Sequence, residues 1–412
     1  MFKKYGNNAV VGQSGGPTAA INASLAGVIS GVLDSKEIDT LFGMSNGIDG
    51  MCKEKLYRLS DIFSSSADSI ELLKFTPGAA LGSCRFKLPD PDSDPAFYEK
   101  LFILLEKYGI GYFFYIGGND SMDTAAKLSA FSIKNGIDLK VIGIPKTIDN
   151  DLVGTDHTPG FGSAAKFVAT TFAELSRDTA VYSQKCVTVV EVMGRDAGWL
   201  TAASALASTE STDGPDLIYL PEAVFSCDAC FSDIERIWEK HPDILIAVSE
   251  GVRLPDGSYL GADSTKTDKF GHIQLSGAAK VLADRVKERF NCKVRSIELN
   301  TPQRCGAHNA SLTDINEAFD VGKYAVSCAS AGKTGVMAGI CRISDDPYTC
   351  VYRTFDVNEV ANRVKRVPSE FINENGNYIT DKCITYLRPL IEGECSPPYK
   401  NGIPVHYRFK KL

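Results

Sequence analysis

The sequence predicts an α/β fold built on mostly parallel sheets covered on both faces. Two observations predict it. Short apolar runs alternate with segments at helical spacing, the pattern of strand–helix–strand crossovers. Four polar clusters, "GGNDS", "PKTIDND", "MGR" and "SEG", each follow directly on a predicted strand. Ligands of open α/β sheets bind beyond the carboxyl ends of the strands, so four clusters in that position can line one cleft.

The elements follow in chain order. "NAVVGQSGG" reads as a strand entering a glycine turn, and "PTAAINASLAGVISGVL" as a helix rich in small residues. "YEKLFILLEKYG" has its apolar positions at helical spacing. "IGYFFYIGGNDS" is a strand, "MDTAAKLSAFSIKNG" its helix and "LKVIGIPKT" the next strand. "SAAKFVATTFAELSRD" is a helix, and "CVTVVEVMGRDAGW" a strand leading into the helix "LTAASALAS". "PDLIYLPE" and "DILIAVSEG" are further strands. The region after Tyr348 is more polar and irregular, and "SPPYKNGIPVHYRFKKL" reads as a tail that packs back or frays.

Bulk properties narrow the function. The 412 residues are 44% hydrophobic, enough for a large core and two domains. A net charge of −7 with interspersed signs argues against a nucleic-acid binder, which favours a basic patch. The start "MFKKYGNNAVVGQSGG" has no apolar core of signal-peptide length, and no stretch reaches transmembrane length. A cytoplasmic protein with reduced thiols is expected from the twelve scattered cysteines. The single CxxC, Cys227 to Cys230, lacks the second pair or nearby histidines of a zinc site.

Each cluster suits a chemistry and has a structural alternative. In "SGGPTAAIN", Gly15 lets backbone N–H groups approach a phosphate at a helix N-terminus, or simply makes a tight turn. Asn119 and Asp120 offer oxygen ligands for Mg²⁺, whereas Asp120 or Ser121 would also cap the next helix, the expectation without further context. In "PKTIDND", Lys146 can neutralise a phosphate, Asp149 can take a proton from a hydroxyl, and Asp151 can hold Asp149 in position or assist the metal. Two carboxylates beside a lysine just past a buried strand favour function over a turn with Lys–Asp pairing. Arg195, after Met193 and Gly194, and Arg304 can clamp phosphate, and Glu250 can accept from sugar hydroxyls. A lone arginine more often makes a structural ion pair.

Two motifs fail their context. "GKT" at Gly332 to Thr334 has Ser327 where a P-loop needs its first glycine, with a helix before it and a strand after. "GFGSAA" at Gly160 to Ala165 opens a helix but follows no strand, so a dinucleotide site is not expected.

In order, "SGGPTAAIN", "LGSCR", "GGNDS", "PKTIDND", "EVMGRDAGW", "SEG" and "PQRCG" resemble the phosphofructokinase family, from Gly15 to about Gly306. The resemblance implies two Rossmann-like three-layer domains with the active site in the cleft between them. Residues 1–160 with about 305–345 would form the larger, donor-binding domain. Residues 161–304 would form the smaller sugar-phosphate domain, and 346–412 a C-terminal segment packing on the domains. It implies Mg²⁺-dependent phosphorylation of the 1-hydroxyl of fructose 6-phosphate. Asp149 falls on the catalytic base, flanked by Thr147 and Asp151. Met193, Gly194, Arg195, Glu250 and Arg304 fall on sugar-phosphate positions, and Gly15 and Arg85 on the donor side. Arg295 falls where a neighbouring subunit reaches the 6-phosphate, with Lys185 near another such position. A homodimer or homotetramer with a shared site is therefore implied.

The donor is legible in two departures from the ATP-using pattern. Asp120 and Lys146 stand where ATP users keep glycines, as in the pyrophosphate-dependent branch. A carboxylate at the α-phosphate position repels it by roughly 4 kcal/mol at about 4 Å and an effective dielectric near 20. Lys146 adds positive charge at the leaving group. Asn119 replaces the usual aspartate, Thr301 stands where His or Tyr is frequent, and Pro17 and Ala20 alter the first glycine loop. The expected reaction is reversible transfer from pyrophosphate, with an ATP-dependent enzyme or an inactive sugar-phosphate binder as alternatives.

Overall fold

Two sheets with parallel cores organise the computed structural model, which describes residues 3–181, 183–267, 273–275 and 277–410. The larger contains β1 (Asn8–Gln13), β2 (Leu41–Met44), β3 (Leu56–Arg58), β4 (Ile110–Gly117) and β5 (Lys140–Pro145). The second sheet contains β6 (Cys186–Val192), β7 (Leu217–Tyr219) and β8 (Asp243–Ser249). A hairpin of β9 (Ala262–Thr267) and β10 (Ile273–Leu275) stands apart. The chain then adds β11 (Lys293–Glu298) to the second sheet, and β12 (Val336–Asp345) and β13 (Tyr348–Asp356) to the first.

The strand orders are β13-β12-β5-β4-β1-β2-β3 and β11-β6-β8-β7. The interior pairs are parallel, and β3 and β13 close the large sheet as antiparallel edges. From β1 the chain goes first to β2 on one side and later to β4 on the other. The point where the order reverses opens a crevice between the ends of β1 and β4.

Every residue of β4 and β6 is buried, as expected for strands covered on both faces. Alternate residues serve opposite faces. Phe114 and Ile116 meet the helices Ile21–Asp34 and Leu312–Ser330, while Phe113 and Tyr115 meet the helices Pro95–Lys107 and Asn119–Lys134. The first two of those helices touch backbone to backbone: a Cβ at Gly27 would lie 1.9 Å from the Phe319 carbonyl oxygen, and one at Gly322 2.2 Å from that of Ser24.

In the second sheet, Val187 and Val189 pack with the helices Cys227–Ile237 and Ala278–Phe290. Val190 and Val192 pack with the helix Phe161–Thr179 and with Val367, Cys383 and Leu387 of the C-terminal region. That region is thus part of a core, although its sequence reads as irregular. The tail packs back: Tyr407 and Phe409 pack in tilted and edge-on ring contacts against Phe63 and Tyr57 at the large sheet. Lys411 and Leu412 lie outside the described residues.

The expected strands form where the apolar runs lie, but the first helix begins at Ile21, four residues past Pro17. Residues 14–20 are kept as loop. Asn22 in the first turn bonds the carbonyls of Thr76 and Gly78 and pins that start. Among the described residues no helix is long and apolar enough to cross a membrane.

Candidate active site

The loops after β1, β4 and β5 meet around a cavity of about 410 Å³ lined by Gly15, Gly16, Arg85, Asn119, Asp120, Lys146, Thr147, Asp149 and Asp151. Gly15 has φ +77, and a Cβ there would stand 3.2 Å from Lys146 Nζ. Two reasons therefore require glycine: left-handed backbone and close approach of a cation. The Gly15 N–H bonds the Cys84 carbonyl, and Ser83 Oγ bonds the Gly15 carbonyl, so "LGSCR" holds the glycine loop from outside. Arg85 is exposed on that cavity.

Lys146 leaves β5 and is only 3% exposed. Its Nζ donates to the Gly16 carbonyl at 2.6 Å. Burial pushes its pKa down to about 8 against the pull of Asp149 and Asp151. Asp149 is half-buried, and its N–H donates to Thr147 Oγ1 at 3.1 Å. Burial first, then Asp151 and Glu250, push the Asp149 carboxyl up to about 7, while Lys146 and Thr147 oppose the rise. Burial also raises the Asp151 carboxyl. Asn150, with φ +52, turns the chain between the two aspartates, and both line the cavity. Burial thus brings the Lys146 and Asp149 titrations close together, a pattern that clusters at functional sites.

Asn119 and Asp120 are the first two residues of the helix Asn119–Lys134, and Gly118 holds the cap position without a side-chain bond. The expectation that Asp120 or Ser121 caps this helix is therefore corrected. A Cβ on Gly117 would lie 1.9 Å from Ser121 Oγ, so Ser121 is packed back on the strand end. Asp120 is left exposed on the cavity. Asn119 Oδ1 is buried with no hydrogen-bond partner, an acceptor left over for a cation. Among the described residues no three His, Cys, Asp or Glu side chains cluster around a metal position. One amide oxygen with one exposed carboxylate fits Mg²⁺, which takes one or two protein oxygens and shares its other positions with waters and substrate phosphates.

The second sheet presents its own strand ends to the same place. Gly194, with φ +145, follows β6, and its N–H donates to Glu250 Oε1 at 3.3 Å. The Met193 N–H donates to Gln303 Oε1. Burial raises the Glu250 carboxyl, opposed by the Gly194 bond and by Arg195. Arg304 reaches the large sheet: its Nη1 would lie 3.3 Å from a Cβ on Gly16. Thr301 is exposed, with its carbonyl accepting the Arg304 N–H.

Arg295 and Lys185 stand elsewhere. Arg295 pairs in register with Thr188, toward the amino end of β6, and forms an ion pair with Asp178 at 3.0 Å. Lys185 immediately precedes β6 and lies over the Trp238 ring at 4.7 Å. Neither joins the Lys146–Asp149 cluster of its own chain.

The two rejected motifs have structural employment. Thr334 Oγ1 donates to the Leu139 carbonyl and accepts the Val141 N–H, which pins β5. At "GFGSAA" the helix N-terminus is already filled: the buried Asp314 carboxylate accepts the N–H groups of Gly160 and Ser163 at 2.8 and 2.9 Å. Cys230 of the CxxC is buried in the core, and Cys227 Sγ accepts from Arg285.

Sequence reasoning missed Asn150 as an anchor and Lys365 altogether. Buried Asn150 accepts from the Thr158 N–H and from Lys365 Nζ, and donates to the Tyr386 hydroxyl. The αL position at an Asn within "IDND" is a signal that could have found the first; Lys365 has no local signal.

Glycine turns, a helix N-terminus and convergent cations at the ends of two parallel sheets define an α/β protein with a phosphate-binding cleft. A phosphofructokinase family profile matches residues 8–329. The chain is 44% identical over 404 residues to pyrophosphate–fructose 6-phosphate 1-phosphotransferase of Halomonas elongata, covering 97% of this chain and 95% of that one. It is 43% identical over 400 residues to the protein of the same name from Methylococcus capsulatus, covering 96% and 94%. The crystal structure of pyrophosphate-dependent phosphofructokinase from Nitrosospira multiformis superposes with a TM-score of 0.88 at 40% identity, covering 98% and 97%. The chain belongs to the phosphofructokinase family.

Proposed function

We propose that the protein transfers a phosphoryl group from pyrophosphate to the 1-hydroxyl of fructose 6-phosphate, giving fructose 1,6-bisphosphate and phosphate. The observation that carries the donor assignment is the pair Asp120 and Lys146 on one cavity, the first exposed at a helix start and the second buried against the glycine loop. A carboxylate there repels the α-phosphate of a nucleotide, and the cation suits a phosphate leaving group.

Asp149 accepts the proton of the sugar hydroxyl as that oxygen attacks phosphorus; a base near pH 7 is matched to this task. Thr147 and Asp151 hold the base. Gly15, Arg85 and Lys146 hold the donor phosphates and the departing phosphate. Met193, Gly194, Arg195, Glu250, Thr301 and Arg304 orient the sugar phosphate, and orientation supplies much of the rate. Mg²⁺ bound with pyrophosphate near Asn119 and Asp120 supplies charge neutralisation on the phosphate oxygens. Arg295 and Lys185, remote from their own chain's cluster, serve the cleft of a neighbouring subunit in a homodimer or homotetramer. The protein works in the cytoplasm, in glycolysis and gluconeogenesis.

Initial rates of the purified protein with Mg-pyrophosphate and with Mg-ATP test the donor. Activity with pyrophosphate at least about 100-fold above ATP is expected. Equal rates would overturn the assignment in favour of an ATP-dependent enzyme. In Asp120→Gly with Lys146→Gly the ratio should move toward ATP; no rise in ATP use would refute the repulsion argument.

A further inference from the structure

The loop that carries Asp149 and Asp151 runs from Lys146 to Gly160, between β5 and the helix Phe161–Thr179. Fifteen residues without regular structure need holding if a base is to stay aimed at a hydroxyl. Part of the hold is internal: Thr158 Oγ1 donates to the Thr147 carbonyl, and the Thr158 N–H donates to Asn150 Oδ1. The rest comes from more than 200 residues away. Lys365 Nζ donates to Asn150 Oδ1 at 3.1 Å, to the Asp156 carbonyl at 2.6 Å and to the Thr155 carbonyl at 3.4 Å. Its backbone N–H donates to the Asp151 carbonyl at 2.7 Å. Its carbonyl accepts Trp199 Nε1 at 2.9 Å, and Trp199 lies just beyond the Met193–Arg195 loop of the second sheet.

We propose that Lys365 is a positioning residue for phosphoryl transfer, which clamps the Asp149–Asp151 loop and ties it to the loop that follows β6. One residue bonds both halves of the cleft, through its ammonium and main chain on one side and its carbonyl on the other. Burying an ammonium is unfavourable, and burial pushes this one down to about 8 even with Asp156 and Asp151 drawing it up. A buried cation kept against that cost, with three oxygen acceptors converging on it, specifies one loop geometry. Lys365 touches no reacting atom; it acts through Asn150 and the Asp151 main chain. The inference rests on Asp149 as the base.

The test is steady-state kinetics on the full-length protein with pyrophosphate and fructose 6-phosphate, alongside thermal unfolding. Misplacement of a base by about 1 Å costs on the order of 100-fold. Lys365→Met, which keeps the main-chain bonds, is expected to lower kcat about 30- to 100-fold with both KM values changed less than threefold. Asn150→Gly, which tolerates the positive φ, should act the same way. The double variant should be no worse than the poorer single one, because both remove the same clamp. Lys166 is a control for burial alone: it is 7% exposed and bonds the Gly393 carbonyl and Glu394, away from the loop. Lys166→Met should lower the unfolding temperature and leave kcat within twofold.

A kcat within twofold of the parent in Lys365→Met overturns the proposal. So does a loss in Lys166→Met equal to that in Lys365→Met, or multiplicative effects in the double variant. If Lys365→Met does not fold, Asn150→Gly decides: a kcat loss at unchanged KM supports the clamp, and an unchanged kcat overturns it. Asp149→Asn separates the two levels. If it keeps full activity the base assignment fails; if it is inactive while Lys365→Met is normal, only the clamp fails.

Discussion

The roles proposed for Asp149 and Lys146 predict a narrow pH optimum. In the proposed reaction Asp149 is ionised and Lys146 protonated. Asp149 is raised to about 7, so its base form is lost as pH falls through that value. Lys146 is lowered to about 8, so its charge is lost as pH rises through that one. The fraction with both in the required state peaks at about 60% near pH 7.5 and falls to about one-tenth at pH 6 and pH 9. The limbs belong to the coupled Asp149, Asp151 and Lys146 set rather than to single residues. The perturbation is Lys146→Met. It removes the cation that lowers Asp149, so the acid limb should move to higher pH and the alkaline limb should vanish. The rate at the optimum should fall about 100- to 1,000-fold, as for loss of one charge-stabilising donor. The assay is kcat/KM for pyrophosphate from pH 5.5 to 9.5 for parent and variant, so that ionisation of the substrate cancels in the ratio. A parent-to-variant ratio that stays flat from pH 6 to 9 refutes the reasoning.

Two further outcomes are expected. Gly15→Ala forces a side chain into φ +77 beside Lys146 Nζ, costing about 1–2 kcal/mol in backbone alone; kcat/KM for pyrophosphate should drop about tenfold or more while KM for the sugar phosphate holds. Asp314→Ala strips the buried N–H groups of Gly160 and Ser163 of their acceptor; a loss of about 2–4 kcal/mol should appear as a lower urea midpoint, with kcat little changed.

Much of the cleft was legible because its chemistry is local. Strands announce themselves by apolar runs, and the polar residues that follow them have nowhere to go but the strand ends. Gly15, Lys146, Asp149 and Glu250 are each found that way. The rest depends on residues that meet only in three dimensions. Nothing near Lys365 says that its ammonium reaches Asn150, and nothing near Asp314 says that its carboxylate fills the start of another helix. The cap at "GGNDS" was misread for a packing reason, since Ser121 is committed to the end of β4. The irregular stretch after Tyr348 hid an edge strand, β13, because only half of an edge is covered and its apolar pattern is weak. Short β2 and β3 escaped for want of length.

The pairing of β5 with β12 has a consequence for biogenesis. Ile142 lies beside Val336 in the sheet, and everything in between, including the whole second sheet, is synthesised before that pair can form. At about 5–20 residues per second this interval is roughly 10–40 s on the ribosome. During it the nascent chain carries β5 as an open parallel edge, apolar from Val141 to Pro145, a template for wrong partners. The long sequence separation also predicts slow refolding, because loop closure precedes any reward from the pairing. Yield on expression should therefore respond to translation speed and chaperone supply far more than the stability of the finished molecule would suggest.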